Sequence, residues 1–218
     1  MEHKGRTKMA EGPYKFHKLP KGWKWVRLEE VAQTLESGFA FRKKRVQPHL
    51  RPYNIGEDGT IRLDKLFFIS RDKVPKNKVT LLQPGDVLFN NTNSVELVGK
   101  TTLVTQPMEA GFSNHITLIR TKPGIEGAWL ALVLRAWWHQ GFFARICNKW
   151  IGQAGINTET LKHIPIPLPP LPEQRRIVAC LDQVQTKVTA LKKTQESTEA
   201  ELHRLEQAIL DKAFRGEL

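Results

Sequence analysis

From Ile177 onward, apolar residues recur at Leu181, Val184, Val188, Leu191, Leu202, Leu205 and Ile209, with Gln195 and Thr198 occupying two places in the same series. The steps alternate between four and three, which keeps one seam on one face of an α-helix through successive heptads. A long helix is therefore predicted over 173–218. If 173–214 is continuous it is about 63 Å long at 1.5 Å per residue. One small domain cannot cover so long a seam, so a partner helix is expected, from a second copy or from another protein. Gln195 and Thr198 either specify register at some cost in stability or mark a weakly packed centre.

The preceding pattern is different. Residues 1–18 are polar and lack an apolar run, as expected of a flexible lead-in without a signal peptide. A turn at Leu19-Pro20-Lys21-Gly22-Trp23 and a short strand or helix at 26–31 open a domain over 19–163. Short β-like runs follow at 60–63, 66–69, 87–89, 100–104 and 116–120, separated by turn signals such as Asp58-Gly59 and Pro84-Gly85-Asp86. Residues 127–146 read as helical, with Trp129, Leu130, Val133, Leu134, Trp137, Phe142 and Phe143 forming an apolar face, so Trp137 and Trp138 are expected to pack. Residues 152–157 read as a loop. Alternating prolines over 164–172 exclude a helix there and predict a stiff extended strap. Pro172 and Glu173 suit the first turn of the long helix, and Gly216 suits its end. The expected fold class is α+β: a globular domain with a sheet of short strands, plus a long C-terminal coiled-coil helix.

Charge sharpens this division. The chain has 218 residues and a formal net charge of +12, and that excess lies wholly ahead of residue 173, where 26 basic residues face 14 acidic ones. The helical segment carries eight of each. A cationic globule suits a polyanion, because counterions released from phosphate favour the complex, and a neutral helix suits protein. Between Glu36 and Glu57 there is no acidic residue, whereas Arg42, Lys43, Lys44, Arg45 and Arg51 form a cationic stretch bracketed by Gly38, Pro48 and Pro52, expected to be a loop. With only Cys147 and Cys180, a disulfide framework and a zinc site are not expected, and a reducing cytoplasm is.

Familiar catalytic patterns do not form. Gly99-Lys100-Thr101 resembles the end of a phosphate-binding loop, but Ser94 stands where the first glycine belongs. The seven histidines show no metal-ligand spacing. More pointed chemically is Asn90-Asn91-Thr92-Asn93-Ser94, since an Asn amide presents a donor and an acceptor in the plane needed for the N6/N7 edge of adenine. Turn chemistry is the competing reading. Together with Arg42–Arg45, Arg51, Asn54, Lys100, Lys149, Gln153 and Asn157, these residues make up a candidate DNA-reading surface.

Several segments in order carry a family resemblance. They are Leu19-Pro20-Lys21-Gly22-Trp23, Leu50-Arg51-Pro52-Tyr53-Asn54-Ile55 with Asp58-Gly59, Leu82-Gln83-Pro84-Gly85-Asp86-Val87-Leu88-Phe89-Asn90, Val98-Gly99-Lys100, the proline run continuing through Glu173-Gln174, and the terminal Phe214-Arg215-Gly216-Glu217-Leu218. The chain resembles a specificity subunit of a type I restriction-modification system, in a half-length form with one target-recognition domain and one helical region. The resemblance implies a non-catalytic protein that reads double-stranded DNA for a DNA adenine methyltransferase subunit and a restriction endonuclease subunit. S-adenosylmethionine, ATP and Mg are then expected on those partners and none in this chain. It also implies an antiparallel homodimer through Ile177, Leu181, Val184, Val188, Leu191, Gln195, Thr198, Leu202, Leu205 and Ile209, reading a gapped inverted repeat. Other readings are a stand-alone DNA-binding regulator or competitor, a recognition fragment once fused to a methyltransferase, and a coiled-coil scaffold.

Overall fold

The computed structural model describes residues 18–39, 47–69 and 81–217. At its centre four antiparallel strands lie in the order β2 (Ala32–Ser37), β11 (Ile116–Thr121), β6 (Val87–Asn90), β8 (Thr101–Leu103). Every residue of β6 is buried, which is why Val87-Leu88-Phe89 reads as an unbroken apolar run rather than an alternation. Leu88 and its cross-strand partner Leu118 face a core made with Leu50, Ile55, Leu82, Val104, Phe112 and Ile116. Phe89 points to the other face and meets Phe143 edge-on, with ring centroids 5.1 Å apart.

The remaining elements surround this sheet. β1 (Lys24–Arg27) runs directly into a single helical turn, α1 (Leu28–Val31), so the segment predicted as strand or helix is both in succession. β3 (Gln47–Leu50) pairs antiparallel with β4 (Phe67–Ile69) and parallel with β10 (Gly111–Phe112). Thus the end of the stretch expected to be a loop is strand. Between them Pro52–Asn54 form a 3-10 turn, and the run expected at 60–63 contributes only a bridge from Ile61 to Ile55. β5 (Leu81–Leu82) pairs with β9 (Met108–Glu109). The predicted helix over 127–146 is broken once: α2 (Gly127–His139) and α3 (Phe142–Ile146) are joined through Gly141, whose φ of 68° is left-handed.

β7 (Thr92–Asn93), β12 (Asn148–Trp150) and β13 (Gln153–Gly155) form a separate sheet in the order β12-β13-β7. This corrects the loop expected at 152–157: Gln153–Gly155 are strand, and Asn157 caps α4 (Thr158–Lys162) by accepting the Thr160 N–H at 2.7 Å. Its Gln-Ala-Gly sequence hides the strand, because Ala and Gly have low β-propensity and the pairing with β7 comes from more than fifty residues away in the chain, a register set by tertiary contacts.

The proline strap is extended, as predicted, and part of it is the strand β14 (Pro165–Leu168), paired with β1. The carbonyls of Pro165 and Pro167 accept the indole N–H groups of Trp137 and Trp129 at 2.9 and 3.0 Å. These tryptophans therefore pack and anchor, and Trp25 stacks on Trp137. α5 (Leu171–Phe214) is a single helix of 44 residues. It ends at Gly216, with φ 69°, where the Glu217 N–H reaches the Lys212 carbonyl and the Gly216 N–H the Ala213 carbonyl. The described residues form two compact units that divide between Arg175 and Arg176, and the strap and first turn of α5 belong to the first.

Candidate nucleic-acid interface

β6 carries the chain into the Asn-rich segment, and its first two amides turn inward. Asn90 is 0 % exposed, and its Nδ2 donates to the Leu97 carbonyl at 3.1 Å. Asn91 donates to the Asn114 carbonyl and to Thr117 Oγ1, and accepts from Thr92 Oγ1. Both side chains hold the bend after β6, so turn chemistry prevails and neither amide offers a base-pairing edge at the surface. Asn54 is also buried: its Oδ1 accepts the Arg51 N–H and its Nδ2 donates to the Arg62 and Lys65 carbonyls, closing the 3-10 turn.

Lys100 is likewise corrected. Its ammonium is buried and donates to the Ile55 carbonyl at 2.7 Å, and loss of hydration pushes its pKa below the usual lysine value despite the opposing charges of Glu57 and Asp58. The neighbouring Gly99 has a φ of 93°, and any side chain there would run into the Phe143 ring. The Val98-Gly99-Lys100 segment thus joins the central sheet to the 55–58 turn and is not a phosphate cradle.

Arg51 is half-buried, with its guanidinium carbon 4.1 Å from the Phe67 ring centroid, a cation–π contact. His49 lies beside it, buried between Phe39 and Phe67, and burial pushes its pKa below 6.5. Arg42, Lys43, Lys44 and Arg45 lie outside the described residues.

The polar residues that do remain at the surface converge on the β12-β13-β7 sheet. Lys149 stands opposite Ala154, which in turn pairs with Asn93, while Trp150 stands opposite Gln153 and Gly155 opposite Thr92. Strand alternation puts Lys149 and Asn93 on one face, and Trp150, Gln153 and Thr92 on the other. Lys149 and Gln153 are exposed, and Thr92 and Asn93 partly so. The acidic neighbour is Glu96, exposed itself, whose carboxyl is held below its ordinary pKa by its own backbone N–H, by Ser94 and by the charge of Lys149. Two further side chains belong to this surface, and the sequence reading passes over them. Trp150 is 60 % exposed and Ile151 fully exposed, at a turn closed by Gly152 with φ 72°. An apolar pair immediately before a glycine is the signal that marks them.

A second candidate surface lies on α5, considered by itself. Leu181, Val184, Val188, Leu191, Leu202, Leu205 and Ile209 are all exposed, Leu191 at 70 %. The Thr198 hydroxyl donates to the Thr194 carbonyl, so its polarity is satisfied within the helix, and Gln195 supplies the amide near the middle of the seam. Among the described residues no three His, Cys, Asp or Glu side chains gather as a metal site would require, and no helix is long and apolar enough to cross a membrane.

The profile of the type I restriction modification DNA specificity domain matches residues 20–202. The putative type I restriction enzyme MjaX specificity subunit of Methanocaldococcus jannaschii is 27% identical over 206 residues, covering 91% of this chain and 45% of that protein. The EcoKI specificity subunit of Escherichia coli K12 is 26% identical over 215 residues, covering 92% and 44%. Among solved structures, the HsdS subunit of Thermoanaerobacter tengcongensis aligns with a TM-score of 0.62 at 34% identity, over 94% of this chain and 48% of its own. A chain from a structural study of the assembly and conformational transition of a type I R-M system aligns with a TM-score of 0.69 at 33% identity, over 94% and 49%. This chain thus spans about half the length of the relatives it matches.

Proposed function

The chain belongs to the type I restriction-modification DNA specificity family, and we propose that it reads a DNA sequence on behalf of a separate adenine methyltransferase subunit and a restriction endonuclease subunit. In this reading the cationic domain captures duplex DNA through phosphate contacts, and the β12-β13-β7 surface reads base edges. Chemistry belongs to the partners: S-adenosylmethionine would serve the methyltransferase subunit, and ATP with Mg the endonuclease subunit. The observation that carries the proposal is the family match itself, which runs from residue 20 to 202 and so takes in both the basic domain and most of α5.

The seam on α5 supports a second copy as partner. Covering the exposed part of each apolar side chain would contribute on the order of 1 kcal/mol, and the balanced charge of 173–218 opposes no approach of like helices. Two copies paired antiparallel would set two reading domains about a twofold axis and so read a gapped inverted repeat. Expression with the adjacent methyltransferase gene, followed by purification and mapping of methylated adenines, tests the whole reading. A gapped palindromic motif, together with a dimer in sedimentation, is the expected result. A chain that purifies without a methyltransferase and leaves the methylation pattern unchanged overturns it.

A further inference from the structure

The β12–β13 ribbon ends in a side chain that contributes nothing to the fold. Ile151 is fully exposed, and a β-branched residue is out of place in a two-residue turn, where Gly, Asn or Asp would serve. Beside it Trp150 is also largely exposed, but it is braced. Its ring lies diagonally across the hairpin against Gly155, where a Cβ would stand 3.0 Å from Trp150 Cζ3. The tip is therefore apolar and supported, with polar Lys149 and Gln153 immediately behind it.

We infer that Ile151, supported by Trp150, is a base-reading side chain that contacts the 5-methyl group of thymine on the floor of the DNA major groove. This rests on the DNA-reading role proposed above. A two-stranded β-ribbon is of a size the major groove admits, and the thymine methyl is the apolar group displayed there. Charge favours nucleic acid over a protein surface as the occupant: ahead of residue 173 the chain carries 26 basic residues against 14 acidic ones, and on the ribbon itself Lys149 is exposed, with Glu96 as its acidic neighbour. With the tip at the floor, Lys149 on one face of the ribbon and Gln153 on the other would face the groove walls, where phosphates and base edges lie.

The test is a selection from a pool of random-sequence DNA duplexes, run with the full chain in the complex in which it purifies, and repeated with Ile151→Ser and Ile151→Val. The wild type should enrich a motif with an A·T pair at one position that Ile151→Ser leaves unconstrained and Ile151→Val retains. Replacing that thymine by deoxyuridine, which lacks the methyl group, should weaken wild-type binding about fourfold, the factor corresponding to burial of one methyl-sized group, and leave Ile151→Ser unaffected. Because the side chain is fully exposed, the urea midpoint of each variant should match the wild type. If Ile151→Ser enriches the same motif with every position intact, the inference is overturned while DNA reading stands. It is overturned equally if that variant keeps the motif but loses its protein partner, since the tip would then be a protein contact. A wild type that enriches no motif overturns the DNA-reading role and this inference with it.

Discussion

The side-chain Oε1 of Gln174 accepts the backbone N–H of Glu126 at 3.0 Å, so a residue in the first turn of α5 satisfies the N-cap of α2. Its Nε2 donates to the Pro169 carbonyl at 3.0 Å, and the side chain is almost wholly buried. One amide thereby ties three segments together: the proline strap, the start of α5 and the start of α2. Gln174→Ala strands a buried donor and a buried acceptor, each costing about 1–3 kcal/mol, so urea denaturation should show a loss of roughly 2–6 kcal/mol. An unchanged midpoint would mean that water replaces the amide at no cost.

Asp86, buried in the Pro84-Gly85-Asp86 turn, receives both Nε and a terminal nitrogen of Arg120 at 2.7 Å, and also the Gln83 N–H at 2.8 Å. This bidentate pair raises the Arg120 pKa above its ordinary value and fixes the turn to β11. Removing the carboxylate by Asp86→Ala leaves a partly buried guanidinium unpaired. A loss of about 3 kcal/mol is expected, the lower end for a buried pair because Arg120 retains some solvent contact. Lys162→Ala breaks the exposed bridge to Glu159 and should leave the denaturation midpoint unchanged.

Burial lowers the His49 pKa, with Arg51 adding repulsion and the hydrogen bond to the Phe39 carbonyl opposing the shift. As pH falls below 6.5 the unfolded chain takes up a proton that the folded chain resists, so stability present above 6.5 is lost until the folded value is passed. Thermal unfolding between pH 7.5 and 5 should show this decline in the wild type, at about the pH interval set by that shift. His49→Gln should flatten it. A variant whose melting temperature falls as steeply as the wild type's would assign the acid sensitivity elsewhere.

Lys149 and Lys100 separate surface from interior. Lys149→Ala should leave folding unchanged, weaken duplex binding across sequences and reduce the salt dependence of the logarithm of affinity by about one unit. Lys100→Met should leave that salt dependence at the wild-type value, because the Lys100 ammonium is bound to the Ile55 carbonyl and does not reach solvent. Anisotropy titrations at several salt concentrations distinguish the two outcomes.

What sequence alone determined about this protein is what is local. The α5 helix follows from a repeat of alternating fours and threes, its end from Gly216, β6 from an apolar run and the extended strap from prolines that withhold their N–H groups. The family resemblance was likewise legible, since it rests on ordered short segments. Only the tertiary structure decided which polar residues are spent inside. Asn90, Asn91, Asn54 and Lys100 look in sequence as available as Lys149 and Gln153, but each donates to at least one partner seven to forty-five residues away, and no local pattern encodes those hydrogen bonds. The same reason hid β13, a Gln-Ala-Gly segment of low β-propensity that is strand because β7 and β12 flank it. A side chain's chemistry is written in the residue, but whether it faces water or a carbonyl depends on what the rest of the chain places beside it.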